Sequence, residues 1–242
     1  MENRKRALTE RPETTLFSLV SVDGKITAGD TDVLDTEPDF PRIKSIKEGL
    51  HQYYGLDQQT DLVSLNSGRV MKKVGVNEKS TPEKIPVDFI IIDNKPHLTS
   101  HGVDYLMEWT KKLYLVTTNK NHPAFERQGS DNLEIILYEN TIDFADLFSR
   151  FKQLYGVDRI TIQSGGTLNA VLLREKLLDH ISLVMAPALI GGENTSSLID
   201  GESLHSEPEF KDIKALKLKS GEILKDSYLH LQHDVINETV ID

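Results

Sequence analysis

Arg159-Ile160-Thr161-Ile162-Gln163-Ser164-Gly165-Gly166-Thr167-Leu168-Asn169 decides how this chain reads. Arg159 to Gln163 is a short β-rich run. Behind the paired glycines, Leu168, Val171, Leu172, Leu173 and Leu177 recur at helical spacing. The order strand, glycine turn, helix leaves unpaired backbone N–H groups at a helix N-terminus, where a phosphate binds. The stretch is not the dinucleotide fingerprint G-x-G-x-x-G, and it lacks the Lys of a P-loop. It also fits a plain strand-to-helix turn, with glycine supplying φ > 0 and Ser or Thr as N-cap.

Outward from this turn, strand and helix patterns alternate. Thr15 to Val22 is β-rich and stops at the turn dipeptide Asp23-Gly24. Residues 28–40 read as an acidic loop, and Ile43, Ile46, Leu50 and Tyr53 as a helix face. Asp61 to Leu65 is a short strand, then come the turn Asn66-Ser67-Gly68-Arg69 and a short helix, Val70 to Val74. Val87 to Asp93, Leu113 to Thr118, Leu133 to Tyr138 and Ile181 to Ala186 read as further strands. Tyr105, Leu106 and Trp109 mark a short helix. Phe144, Leu147, Phe148, Phe151 and Leu154 form an apolar helix face. Ile213–Leu218 and Tyr228–His233 close the chain as an antiparallel pair. The alternation predicts an α/β fold, a mostly parallel central sheet with antiparallel C-terminal strands. A polar tail over 1–10 precedes one domain over 11–242. Ligands of such sheets bind beyond the carboxyl ends of the strands, and here those ends are polar: Ser21 to Gly24, Asn66 to Gly68, Asp93-Asn94, Thr117 to Asn119 and Gln163 to Gly166.

Composition narrows the partners. A net charge of −10 disfavours nucleic acid and anionic membranes, which need a basic face, but admits a small phosphorylated ligand. The absence of Cys rules out disulfides, zinc–thiolate sites and a thiol nucleophile. The N-terminus has no apolar signal region and no run reaches membrane-spanning length, so a cytoplasmic protein is expected. His51, His97, His101, His122 and His205 do not stand at metal-ligand spacing and read as surface or packing residues, so no metal is expected.

Four motifs in order resemble one family. Arg11-Pro12 with Ser21-Val22-Asp23-Gly24-Lys25-Ile26 resembles its first strand and S-x-D-G-K turn. Asn66-Ser67-Gly68-Arg69-Val70 resembles its G-S-x-T-V turn, and Ser164-Gly165-Gly166-Thr167-Leu168 its E-G-G-x-T-L turn. Leu177-Leu178-Asp179-His180 through Ala186-Pro187-Ala188-Leu189-Ile190-Gly191-Gly192 resembles its L-V-D-E … A-P-x-L-I-G-G segment. The family is the reductase domain of riboflavin biosynthesis (RibD C-terminal), and the resemblance spans roughly residues 11–233. It implies a three-layer dihydrofolate-reductase-like fold and an NADPH-dependent reductase. Hydride would pass to the ribose C1 of a phosphorylated aminouracil, giving the ribityl product. It also implies a homodimer. The zinc deaminase often fused to this domain is not expected, because its H-x-E and C-x-x-C signatures are missing.

Carried over residue by residue, the resemblance places cofactor contact at Ser164, Gly165, Gly166, Thr167, Leu168 and Asn169, and at Ser67, Gly68 and Arg69. Leu19, Asn94, Thr117 and Thr118 join them. Substrate contact falls on Ser21, Asp23 and Gln163; no catalytic acid is identified. Arg69, Lys72 and Lys73 offer positive charge for the adenosine 2′-phosphate, or else form a solvated helix face. Gln163 stands where the family often has Glu, and a carboxamide does not titrate. Thr31 to Asp35 lack the family's Ser and Trp. Two other functions stay open: a dihydrofolate, pterin or other imine reductase on the same fold, and a nucleotide-binding module without turnover.

Overall fold

The computed structural model describes residues 10–241, with nine strands and six α-helices among them. The tail expected at 1–10 therefore lies, except for Glu10, outside the described residues. The described chain forms two compact units. One is built on Asp61–Ser164, the other on Glu13–Thr60 and the chain from Gly165 on.

In the first unit every strand pairing is parallel. Strands β2 (Val63–Ser67), β3 (Asp88–Ile92), β4 (Lys112–Thr117), β5 (Leu133–Leu137) and β6 (Arg159–Ile162) stand in the order β5-β4-β3-β2-β6. Parallel strands are covered on both faces, which is why Phe89-Ile90-Ile91 and Leu113-Tyr114-Leu115-Val116 are unbroken apolar runs. Ile91, Leu113 and Leu115 pack with Val103 and Leu106 of α4 (Ser100–Trp109). The chain steps from β2 out to β5. Helix α5 (Phe144–Tyr155) then carries it back, so that β6 lies on the other side of β2. That reversal makes the carboxyl ends of β2 and β6 a topological switch point, the place where open α/β sheets take their ligands.

Helix α5 is capped by Asp143, which accepts from the Asp146 N–H, and ends at Gly156 in the left-handed region (φ 66°). Phe144, Leu147, Phe148 and Phe151 are buried as the periodicity requires, but Leu154 is 68% exposed. Tyr155 takes the inward position instead, its ring 4.9 Å from that of Tyr114. Strand β2 also runs further than its sequence suggests. Pairing of Ser67 with Ile92 holds Asn66 and Ser67 extended, so the turn begins only at α3 (Gly68–Lys73).

In the second unit β1 (Glu13–Ser21) pairs parallel with β7 (His180–Ala186). Then β9 (Leu229–Ile236) and β8 (Ala215–Ile223) follow antiparallel, giving the antiparallel C-terminal addition. Helix α2 (Lys44–Asp57) buries Ile46, Leu50 and Tyr53 against Phe17, Leu19, Val184 and Tyr228. Tyr53 stacks on Phe17 at 5.3 Å, and the Tyr228 hydroxyl donates to the Ile46 carbonyl at 2.7 Å. Residues 28–40 are not all loop. Asp35 caps a four-residue helix α1 (Thr36–Asp39), too short to leave a period in the sequence. Strand β8 is an edge, with Leu216, Leu218 and Ile223 exposed.

Among the described residues no helix is long and apolar enough to cross a membrane. Nor, among the described residues, is any group of three or more His, Cys, Asp or Glu placed to hold a metal ion.

Candidate functional site

At the switch point of the first unit, Ser67 ends β2 and caps α3, its hydroxyl accepting from the Val70 N–H at 3.3 Å. Gly68 follows, buried, because nothing larger fits: a Cβ there would overlap the Asp93 carboxyl group, with Oδ2 at 2.6 Å. Arg69, Lys72 and Lys73 then bring three cationic side chains onto one short helix.

Asp93, just past β3, is fully buried and held from several sides. Its carboxylate accepts from the His97 N–H at 3.0 and 3.1 Å and from the Leu98 N–H at 3.1 Å. The His97 ring Nδ1 lies at 2.8 Å and His122 Nε2 at 3.1 Å. The Ala124 N–H donates to His122 Nδ1 at 3.1 Å, which makes Nε2 the protonated nitrogen that donates to Asp93. Burial pushes the Asp93 carboxyl up. The hydrogen bonds from His122, His97 and the two backbone amides outweigh it, and the net shift is downward. The sequence reading missed this cluster. The spacing of Asp93 and His97 after an apolar strand was a visible signal; His122, 29 residues away, was not.

Thr117 is buried, its hydroxyl donating to the Asp93 carbonyl at 2.8 Å and accepting from the Asn119 N–H at 3.0 Å. Asn94 is exposed and accepts from the Thr118 N–H at 2.9 Å. On the other side of β2, the Gln163 N–H donates to the Leu65 carbonyl at 2.9 Å, continuing the β6 ladder by one residue. The Gln163 Oε1 accepts from the Ser64 hydroxyl at 2.7 Å, and that hydroxyl accepts from Asn66 Nδ2 at 2.9 Å. Ser164 is buried beside it.

In the second unit Gly165 is the N-cap of α6 (Gly166–Arg174), and no side chain caps this end. The expectation that glycine serves here for positive φ is wrong: neither residue is in that region, and Gly165 has φ −76°. The two glycines do different things. A Cβ on Gly165 would meet nothing within 4 Å, so its backbone is open to close approach. A Cβ on Gly166 would overlap the Ser197 carbonyl oxygen and lie 2.7 Å from Asp200 Cγ. The segment Ser197–Asp200 is fastened there. Asp200 N–H donates to the Gly166 carbonyl at 3.1 Å, Asn169 Nδ2 to the Leu198 carbonyl at 2.8 Å, and Asp200 Oδ1 accepts from Ser197 N–H and Oγ. Thr167 is exposed and Leu168 half-buried. No acidic residue lies in the first turn of this helix, but the Asp200 carboxylate stands against Gly166 at its start.

Ser21 and Asp23 belong to a turn tied to the same segment. The Ser21 hydroxyl donates to Asp23 Oδ1 at 2.6 Å and accepts from the Lys25 N–H at 2.9 Å. The Asp23 carboxylate accepts from the Ile190 N–H at 3.1 Å and the Gly191 N–H at 2.6 Å. The Ser21 hydroxyl first, then the Gly191 amide, bring its pKa down to about 2. Gly24 takes φ 76°, as the Asp-Gly dipeptide implies. Leu198 N–H donates to the Gly24 carbonyl, and Ile26 N–H to Ser196. Leu19 is part of the core under α2. Asp23→Ala removes the acceptor for two loop amides. Hydrogen exchange of Ile190 and Gly191 should then quicken while that of the β1 amides does not change.

Residues 12–224 match the family model described as the RibD C-terminal domain. The chain is 24% identical over 244 residues to the 2,5-diamino-6-ribosylamino-4(3H)-pyrimidinone 5′-phosphate reductase of Aquifex aeolicus, covering 95% of the chain and 99% of that protein. It is 23% identical to the riboflavin biosynthesis protein RibD of Actinobacillus pleuropneumoniae, covering 91% of the chain but only 56% of that longer protein. Among solved structures, Acinetobacter baumannii RibD superposes with a TM-score of 0.61 at 15% identity over 94% of the chain and 59% of its own. The Saccharomyces riboflavin biosynthesis reductase Rib7 superposes with a TM-score of 0.58 at 16% identity over 93% of the chain and 90% of its own. At such identities the structural likeness speaks for the fold.

Proposed function

This chain belongs to the RibD C-terminal domain family, and from that premise we propose that it is an NADPH-dependent reductase of a phosphorylated ribosylaminopyrimidine. Its fold is that of the family's reductase domains, dihydrofolate-reductase-like. The observation that carries the cofactor assignment is the N-terminus of α6. It has no side-chain cap, and Gly165 leaves room for a phosphate against the backbone on the side away from Asp200, which packs on Gly166.

In this proposal residues 11–242 act as one reductase domain. Gly165, Gly166 and Thr167, with Ser164, Leu168 and Asn169, receive the pyrophosphate. Ser67 and Gly68 contact the cofactor, and Arg69, Lys72 and Lys73 supply charge for its 2′-phosphate. Leu19, Asn94, Thr117 and Thr118 complete the cofactor set, the buried ones by shaping its surroundings. Ser21, Asp23 and Gln163 meet the substrate.

When bound, NADPH supplies the hydride for the ribose C1, and a proton goes to the neighbouring nitrogen. The chain contributes mainly position. Asp23 is ionised at neutral pH and only accepts hydrogen bonds; Gln163 does not titrate. Neither supplies the proton.

The test is loss of NADPH absorbance with purified protein. Turnover of the aminopyrimidine phosphate and not of dihydrofolate is expected. Turnover of dihydrofolate alone would replace this reading with the pterin one, and NADPH binding without turnover of either would leave a nucleotide-binding module. A cytoplasmic homodimer completes the proposal. The edge strand β8, with Ile223 88% exposed, supports the dimer, and sedimentation of the intact protein reads it directly.

A further inference from the structure

Strand β8 carries three exposed apolar side chains, Leu216 at 45%, Leu218 at 60% and Ile223 at 88%. Strict alternation would turn Ile223 to the opposite face from the two leucines. A bulge prevents this. The register pairs Leu216 with Val235 and Leu218 with His233, skips Lys219, then pairs Gly221 with Leu231 and Ile223 with Leu229. Those partners are alternate residues of β9, so all four β8 residues lie on one face. The face continues onto β7, where Leu183 pairs with Leu231 and Met185 with Leu229. Exposure grows outward along it: Ile181 is buried, Leu183 and Met185 are half-buried, and the β8 side chains are open.

The opposite face of the same hairpin is polar. Lys217, Ser220 and Glu222 pair there with Asp234, Gln232 and His230. The bulged Lys219 reaches the Asp234 carboxylate at 3.2 Å, and the Ser220 hydroxyl donates to Gln232 Oε1 at 2.8 Å. The hairpin is patterned for burial on a face that stands open, and for water on the other.

We propose that the apolar face of β7, β9 and β8 packs against the same face of a second copy of this chain, sheet on sheet about a two-fold axis. Three observations choose this occupant and this mode. The bulge and the lysines at 217 and 219 are the devices that keep an edge strand from pairing with another edge, so the face and not the edge is presented. A chain of net charge −10 repels its own copies, yet none of the Asp, Glu, Lys or Arg side chains of β8 and β9 lies on this face. The face is about 30 Å along β8 and about 15 Å across three strands. Two of them remove on the order of 1,000 Å² from water, enough for a specific interface. The inference deepens the homodimer proposed above and rests on that reading alone; cofactor and substrate do not enter it.

The chain has no Cys, so an introduced thiol is the sole one. In the full-length protein, maleimide labelling of Leu218→Cys should slow as protein concentration is raised and dimer accumulates. Labelling of Glu222→Cys, on the polar face, should not. In sedimentation, Leu218→Asp should raise the dimer dissociation constant at least about 100-fold, because a two-fold interface carries the buried charge twice. Leu218 is exposed in the single chain, so this variant should keep the wild-type circular dichroism.

Slowing at both thiols alike means pairing through the edge and overturns the face. Slow labelling of Leu218→Cys at every concentration means that the chain covers the face itself, and overturns the second copy. A wild-type dimer with the Leu218→Cys thiol open throughout, or a folded Leu218→Asp that dimerises normally, overturns this surface and leaves the homodimer standing. A monomeric wild type sinks both.

Discussion

Asp93→Ala should cost this protein about 4 kcal/mol of stability, read as a lower urea midpoint at unchanged slope. The carboxylate is the acceptor for two backbone amides and the buried His122 Nε2–H, and it lies within hydrogen-bond distance of the His97 ring. Without it those donors are buried and unmatched, at roughly 1–3 kcal/mol each before relaxation. A cavity also opens beneath Gly68, whose Cα sits against the carboxyl group. Against a total of about 5–15 kcal/mol for an ordinary domain, this is a large fraction.

Asp93→Asn should be better tolerated but not neutral, because one of its two ends is itself a donor turned toward donors. The sign of the pH effect follows from the downward shift. A carboxyl held below its ordinary value of 3.8 adds stability that is present above that value and lost as pH falls through the lower folded value. Acid titration of the wild type below pH 3.8 should therefore show a loss of stability that Asp93→Ala lacks.

Gly166→Ala should be the most damaging change in the proposed phosphate turn, while Gly165→Ala beside it should leave the fold intact. At Gly166 the new methyl group meets a backbone carbonyl and a carboxylate, neither free to swing away. Asp200 is held by the Ser197 amide and hydroxyl and donates its own N–H to the Gly166 carbonyl. Relief requires lifting Ser197–Asp200 off α6, at about 1–3 kcal/mol, and NADPH affinity should fall with it by more than tenfold. At Gly165 the methyl group meets nothing, and φ −76° suits alanine, so the melting temperature should hold or rise slightly. Its NADPH affinity should still fall, because the methyl group stands where a phosphate would approach. Calorimetry of both variants separates the effects. Unchanged NADPH affinity in Gly165→Ala would remove the pyrophosphate from this turn.

The elements themselves were legible because their signals are local. Runs such as Phe89-Ile90-Ile91 and the Phe144–Phe151 face carry their period within a few residues, and the strand–helix alternation that follows dictates a largely parallel sheet. Errors fell where a local rule met a distant partner. Asn66 and Ser67 read as turn but are held as strand by β3. Leu154 fits the helical period, yet Tyr155 takes the inward place because Tyr114 lies opposite. The paired glycines read as conformational, whereas Gly166 answers to the distant segment Ser197–Asp200.

By itself, then, the sequence determined the α/β class, the parallel order with its antiparallel end, and the polar strand ends at which a ligand is to be sought. Periodicity and turn chemistry act over a few residues and need no knowledge of neighbours. Only the tertiary structure decided what those polar residues do. It gave Asp93 to His122, Asp23 to the Ile190–Gly191 loop, and Gln163 to Ser64. A hydrogen bond forms between groups about 3 Å apart in space, and the separation of those groups along the chain, 99 residues for Ser64 and Gln163, leaves no trace in local pattern.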